Sequence, residues 1–184
     1  HRHSSAASDV YKRQGFGGSC FKKDILNLIY ICNHYGLYEV AQYWEQVINI
    51  NNWQQKRISK VVAEKLFGNL SDKKISILGF SFKANTNDTR ESPAINICSD
   101  LLEEGAYLSI YDPKVSHIQI EKAFDTLDFG IKKNNWITSS SVYEAVEDAD
   151  AILIITDWEE FYEIDYEKIF KIMRVPKWIF DTRN

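Results

Sequence analysis

From Asp72 onward, short apolar runs alternate with amphipathic stretches, and this alternation narrows the possible folds more than any other feature of the 184-residue sequence. The run KISILGF (74–80) reads as a strand, residues 93–104 as a helix, 107–111 as a strand and 136–139 as a short strand. A helix at 142–147, a strand at 151–156, a helix at 166–173 and a strand at 178–180 follow, and the stretch after Asp112 reads as a connection. Strands separated by helices specify a parallel sheet covered on both faces, because a parallel crossover needs a helix-length return. Ser92 is a good N-cap, Pro93 suits the first helical position, and Gly105 closes the same helix. The expected class is therefore α/β, a doubly wound parallel sheet. Such sheets take ligands beyond the carboxyl ends of their strands, which makes the polar loop 81–91 the expected ligand edge.

A helical region precedes the sheet. Ile25, Leu28, Ile29 and Cys32 recur at helical spacing within 23–35, and Gly36 stands where a helix commonly ends. Residues 38–67 contain no Pro or Gly and carry Val40, Trp44, Val47, Ile48, Ile58, Val61, Val62 and Leu66 on a 3.6-residue period. At 1.5 Å per residue that helix is about 45 Å long, the kind that links two domains or pairs with a second copy. Asn49, Asn51 and Asn52 have poor helix propensity, so a bend there is the alternative. The opening fourteen residues, HRHSSAASDVYKRQ, have almost no apolar periodicity and lack the apolar core of a signal peptide. They are read as a foreign tail. The expected organisation is 1–14 as tail, 15–70 as a central helical region, and 71–184 as a sheet domain cut short.

Composition excludes several classes. With 45 % apolar and 26 % charged residues the chain is suited to a packed core and is unlike a disordered one. A formal charge of −4 argues against a non-specific binder of nucleic acid or anionic membrane, and no apolar run approaches a membrane span. Cys20, Cys32 and Cys98 are an odd number without paired spacing, so neither a disulfide framework nor a zinc site is indicated. A reducing, cytoplasmic setting is expected, with Cys32 and Cys98 in the core.

Chemistry concentrates in two segments. Gly15-Phe16-Gly17-Gly18-Ser19-Cys20 leads into the first helix, where unpaired backbone N–H groups and the helix dipole favour a thiolate. Asp24, one turn on, brings a carboxylate to the same side. The alternative is a Gly-rich turn followed by a buried small thiol. No histidine stands near Cys20, since His1 and His3 lie in the tail and His34 and His117 lie elsewhere, which weighs against a Cys/His hydrolase. The second segment, 80–92, has no GxGxxG pattern but offers Lys83 and Arg90 as cations for phosphate oxygens. A solvated polar loop is the bland reading. Asp112, at the end of a strand, suits either a ribose hydroxyl or an ordinary Asp-Pro turn.

Taken together, GFGGSCFKKD, ILGFSFKANTNDTRESPAI, IYDPKV, ITDWEEF and IFDTR resemble the UDP-glucose/GDP-mannose dehydrogenase family, the nucleotide-sugar 6-dehydrogenases. The likeness spans residues 15–183, with five segments in order. It implies a Rossmann-like sugar-nucleotide domain behind a central helical region, while the large apolar residues on one face of the long helix give the expectation of a homo-oligomer, dimer or higher. It implies two oxidations of the sugar C6 alcohol to a carboxylate with NAD as acceptor, and the CFKKD and NTNDTRESP runs favour UDP-glucose as substrate over GDP-mannose or UDP-N-acetyl sugars. By resemblance, Cys20 is the nucleophile that forms a thiohemiacetal and then a thioester, and Asp24 helps activate water. Gly15, Phe16, Gly17, Phe82, Lys83 and Arg183 match substrate contacts. Cys20, Phe21, Lys22, Lys23 and Arg90 match positions that approach NAD. The family's N-terminal NAD-binding domain has no counterpart in these residues, so the chain alone is expected to bind the sugar nucleotide without turnover.

Overall fold

A computed structural model describes residues 15–126 and 135–183; the tail expected over 1–14 lies outside them. Helix α1 (Phe21–His34) and helix α2 (Tyr38–Lys65) form an antiparallel pair. After them the chain alternates: β1 (Lys74–Leu78), α3 (Pro93–Glu103), β2 (Tyr107–Tyr111), α4 (His117–Asp125) and β3 (Trp136–Thr138). It continues through α5 (Val142–Val146), β4 (Ala151–Ile154), a 3-10 turn at Glu159–Phe161, α6 (Tyr166–Ile172) and β5 (Trp178–Asp181). All strand pairings are parallel, in the order β3-β2-β1-β4-β5. The doubly wound α/β class is as the alternation indicates.

Two apolar layers cover the sheet. Ile75, Ile77, Leu108, Ile110 and Leu153 pack against Ile97, Cys98 and Leu101 of α3 and Phe124 of α4. Leu78, Ile152 and Ile154 point the other way, onto Val146 of α5 and Ile169 of α6. The alternation along β4 is the two-residue period of a strand buried on both faces. Ile58, Val62 and Leu66, one turn apart on α2, join the first layer, so the second half of the long helix shares the core of the sheet. Its first half packs only partly and leaves Tyr38, Tyr43, Ile50 and Trp53 exposed.

One helix keeps to the sequence expectation against its local propensity, and one departs from it. The helix α2 runs unbroken through Asn49, Asn51 and Asn52 because Asn51 is buried and hydrogen-bonded, a tertiary contact that outweighs propensity. Helix α4 occupies part of what reads as a connection. Its apolar set, Ile120, Ala123 and Phe124, spans barely one turn, too little for periodicity to register. Gln119 Oε1 accepts from the backbone N–H and the hydroxyl of Ser116, both at 3.0 Å, and this fixes its first turn. Ser92, by contrast, caps α3 as expected, its hydroxyl accepting from Ala94 N–H. Among the described residues no helix is long and apolar enough to cross a membrane.

Candidate active site

The chain runs from β1 through β2 to β3 on one side of the sheet and then crosses back to β4 beside β1. The loops leaving β1 and β4 therefore diverge, and the crevice between them lies beyond the carboxyl ends of the strands. Asp112, at the end of β2, ties this edge together. Its Oδ2 accepts from the backbone N–H of Phe80 (2.7 Å) and Ser81 (3.0 Å) and from the indole N–H of Trp158 (3.2 Å). Its Oδ1 accepts from the N–H groups of Lys114 (2.9 Å) and Val115 (3.0 Å). The Thr156 hydroxyl, in the loop after β4, donates to Ser81 C=O at 2.6 Å. Asp112 is thus a buried brace, with its lone pairs occupied by the protein, in place of a ribose acceptor.

Onto this edge folds the Gly-rich loop that precedes α1. A Cβ on Gly17 would stand 2.4 Å from Glu91 C=O and 2.7 Å from the Pro93 ring, and one on Gly18 would stand 2.9 Å from the Phe82 ring. Only glycines let the loop approach the β1–α3 segment this closely. From the other side Asn51 of α2 holds Phe16: its Oδ1 accepts from Phe16 N–H at 2.7 Å, and its Nδ2 donates to Phe16 C=O at 3.2 Å. The rings of Phe16 and Phe21 meet edge to face at 4.7 Å, closing the loop on itself. Gly15, Phe16, Gly17, Cys20 and Phe82 are therefore gathered in one place, although 64 positions separate Phe82 from its partner Gly18.

Cys20 stands at the N-terminal boundary of α1 with its thiol exposed, while Cys32 and Cys98 are buried. The buried small thiol considered for position 20 does not occur. Asp24 N–H donates to Cys20 C=O at 2.9 Å, so the carboxylate of Asp24 lies one helical turn along the same side. Burial pushes the Cys98 thiol far up, which keeps it neutral and inert.

Beside the Cys20 loop opens a cleft of about 710 Å³, lined by Ser19, Lys22, Lys23, Arg90, Gln119 and Lys122 among others. Lys22 pairs with Glu91 at 2.6 Å, and Arg90 grips Asp88 through Nε (3.0 Å) and Nη2 (2.7 Å). The hydrogen bonds that Arg90 donates to Asp88 hold the guanidinium above its usual range and draw the Asp88 carboxyl down. The cations and polar groups on the wall, over an apolar strip that includes Leu26 and Ile95, suit a ligand with both diphosphate and planar apolar parts. Gln119 and Lys122 come from α4, the helix that periodicity does not reveal. Lys83 is exposed above the Phe82 ring, 5.3 Å from its centroid. Arg183 lines a separate cavity of about 50 Å³ with Thr156, Asp157, Trp158 and Asp181, at the ends of β4 and β5.

Sequence and structure comparisons relate the chain to known proteins. The family profile described as "UDP-glucose/GDP-mannose dehydrogenase family, UDP binding domain" matches residues 76–184, and the one for the central domain of the same family matches residues 2–53. The chain is 47 % identical over 187 residues to UDP-glucose 6-dehydrogenase 4 of Arabidopsis thaliana, and 51 % identical over 175 residues to UDP-glucose 6-dehydrogenase of Drosophila melanogaster. Each alignment takes in 92 % of this chain but only 38 % and 37 % of the relative. Among solved structures, a UDP-glucose dehydrogenase from Pyrobaculum islandicum superposes with a TM-score of 0.74 at 28 % identity, covering 94 % of this chain and 35 % of that one. With residues 76–184 matched by its sugar-nucleotide domain and close relatives along nearly all of its length, the chain belongs to the UDP-glucose/GDP-mannose dehydrogenase family.

Proposed function

We propose that this chain is the thiol-bearing, sugar-nucleotide-binding part of an NAD-dependent UDP-glucose 6-dehydrogenase, which oxidises UDP-glucose to UDP-glucuronate. The observation that supports this reading is the junction of the Cys20 loop with the β1–α3 loop, where Gly17 and Gly18 lie against Glu91, Pro93 and Phe82. We assign Gly15, Phe16, Gly17, Phe82, Lys83 and Arg183 to the substrate. Cys20 Sγ adds to the C6 aldehyde to form a thiohemiacetal. Loss of the second hydride leaves a thioester on Cys20, and water activated with the help of Asp24 hydrolyses it, releasing the carboxylate and restoring the thiol. Cys20, Phe21, Lys22, Lys23 and Arg90 are the residues here that would border NAD, which would supply the hydride acceptor, and Lys22, Lys23 and Arg90 would offer it positive charge.

The same reading takes the protein as cytoplasmic and as a homo-oligomer assembled through α2. The organisation proposed is a helical region over 15–70 and a sugar-nucleotide domain over 71–184. Because the 184 residues contain no GxGxxG fingerprint, we propose that by themselves they bind without turnover. Calorimetry of the purified chain tests the assignment: UDP-glucose binds in preference to GDP-mannose or UDP-N-acetyl sugars, and Lys83→Ala weakens it by about 1–3 kcal/mol, the scale of a lost charge-assisted hydrogen bond. Failure to bind any of these nucleotide sugars counts against the function. Steady NADH formation from UDP-glucose by this chain alone counts against the silent module.

A further inference from the structure

We propose that Asn51 is a positioning residue of the site, holding the Cys20 loop from the long helix. The proposal rests on the reading of Cys20 as the nucleophile. Asn51 is almost wholly buried, 6 % exposed, in the middle of α2, a poor place for a carboxamide unless it is paired. Both of its polar atoms are used on a single residue: it accepts from Phe16 N–H and donates to Phe16 C=O, as a neighbouring strand would. The fit is close, since a Cβ on Gly15 would meet Asn51 Oδ1 at 2.5 Å. Phe16 in turn touches Phe21 edge to face, so both ends of the 17–20 bulge are held and Cys20 is its last residue.

Asn51 also begins a buried polar row. Gln55 Oε1 accepts from Asn96 Nδ2 at 2.7 Å, and Ser59 Oγ donates to Asp100 Oδ2 at 2.8 Å, each one turn further along α2 and each reaching α3. The same face of α2 thus fastens to the sheet domain at two points and to the Cys20 loop at a third. The position of the thiol relative to the β1–α3 loop is set through α2, in addition to the direct packing of Gly17 and Gly18.

The test uses the chain itself. Iodoacetamide labelling of Cys20 as a function of pH, read by peptide mass, is compared for the unsubstituted protein, Asn51→Leu and Asn51→Ala, together with hydrogen exchange at the Phe16 amide. Leu keeps the branching of Asn and favours a helix, and Ala removes the carboxamide without adding bulk, so the pair separates loss of the bonds from crowding; circular dichroism and urea midpoints confirm that each variant is folded. The expected result is an approximately tenfold loss of protection at Phe16, as for one lost buried hydrogen bond, and a several-fold change in the Cys20 labelling rate. Ser99→Ala, which removes a buried helix serine bonded to Glu103 outside this row, leaves labelling unchanged. Unaltered Phe16 exchange and Cys20 labelling in both Asn51 variants overturn the proposal, as does an equal change in Ser99→Ala. Weaker UDP-glucose binding by Asn51→Leu extends the effect to substrate, whereas failure of the unsubstituted chain to bind it overturns the functional reading and leaves the labelling comparison to decide the clamp.

Discussion

Asp112 accepts from five N–H groups drawn from three segments of the chain, so its carboxylate ties together the loops at this edge of the sheet. Replacing it with Asn turns one acceptor oxygen into an NH2 that faces N–H donors, and leaves others under-satisfied. Asp112→Asn is expected to cost about 3 kcal/mol of stability, the scale of losing charge-assisted bonds to a buried group. Urea denaturation checks it, and a change below half that value would mean the brace is redundant. The residues with chemistry were legible as types: an exposed thiol at a helix start, a carboxylate one turn on, cations in the β1–α3 loop. What could not be read was which polar residues serve the fold. Asp112 sits in an Asp-Pro turn like many others, and Asn51 counts against its helix by propensity. Both roles depend on partners 30 or more positions away, such as Phe16 at |i−j| of 35, and local pattern carries no trace of them.

At the scale of elements, the end of β2 meets the loop after β4 through Tyr111, which lies beside Phe161. Burial, together with a hydrogen bond to Glu160, pushes its phenol up to about 12. In the unfolded chain a tyrosine titrates near pH 10. Between these values the folded protein keeps a proton that the unfolded chain has lost, so stability from this group is full below about pH 10 and is lost as pH rises toward 12. Tyr111→Phe removes that dependence. Urea midpoints for both proteins between about pH 9 and 11 are expected to fall less steeply for the variant, and parallel curves would refute the assignment. Long elements were easier to read than short ones. The periodicity of α2 extends over 28 residues and α3 has both a Ser cap and a Pro start, whereas the nine residues of α4 are secured by Gln119 reaching back to Ser116. That omission matters for the site, because Gln119 and Lys122 of α4 form one wall of the cleft.

For the molecule as a whole, α1 and α2 expose Tyr30, Tyr35, Tyr38, Tyr43, Ile50 and Trp53, more large apolar surface than a solvated helix pair carries. Self-association is the expected outcome, seen by light scattering as a mass above 21.4 kDa at tens of micromolar, about the range where modest interfaces form. A mass that stays monomeric would remove the helix pair as the interface. The doubly wound class was legible because strands and helices alternate with little interruption, but the join between regions was not: Ile58, Val62 and Leu66 belong by sequence to the long helix and by packing to the core of the sheet. This gives α2 a mechanical character. Its second half is anchored in the core of the sheet, its first half packs on α1, and the asparagine-rich turn lies between them. The 13 residues from Tyr38 to Ile50 form an arm of about 20 Å, so a 10° bend at Asn51 would sweep its tip through about 3 Å while Phe16, held at the fulcrum, scarcely moves. Because α1 packs along this arm and starts beside Cys20, strain applied at the exposed end by another copy or another domain would reach the Cys20 loop through α1.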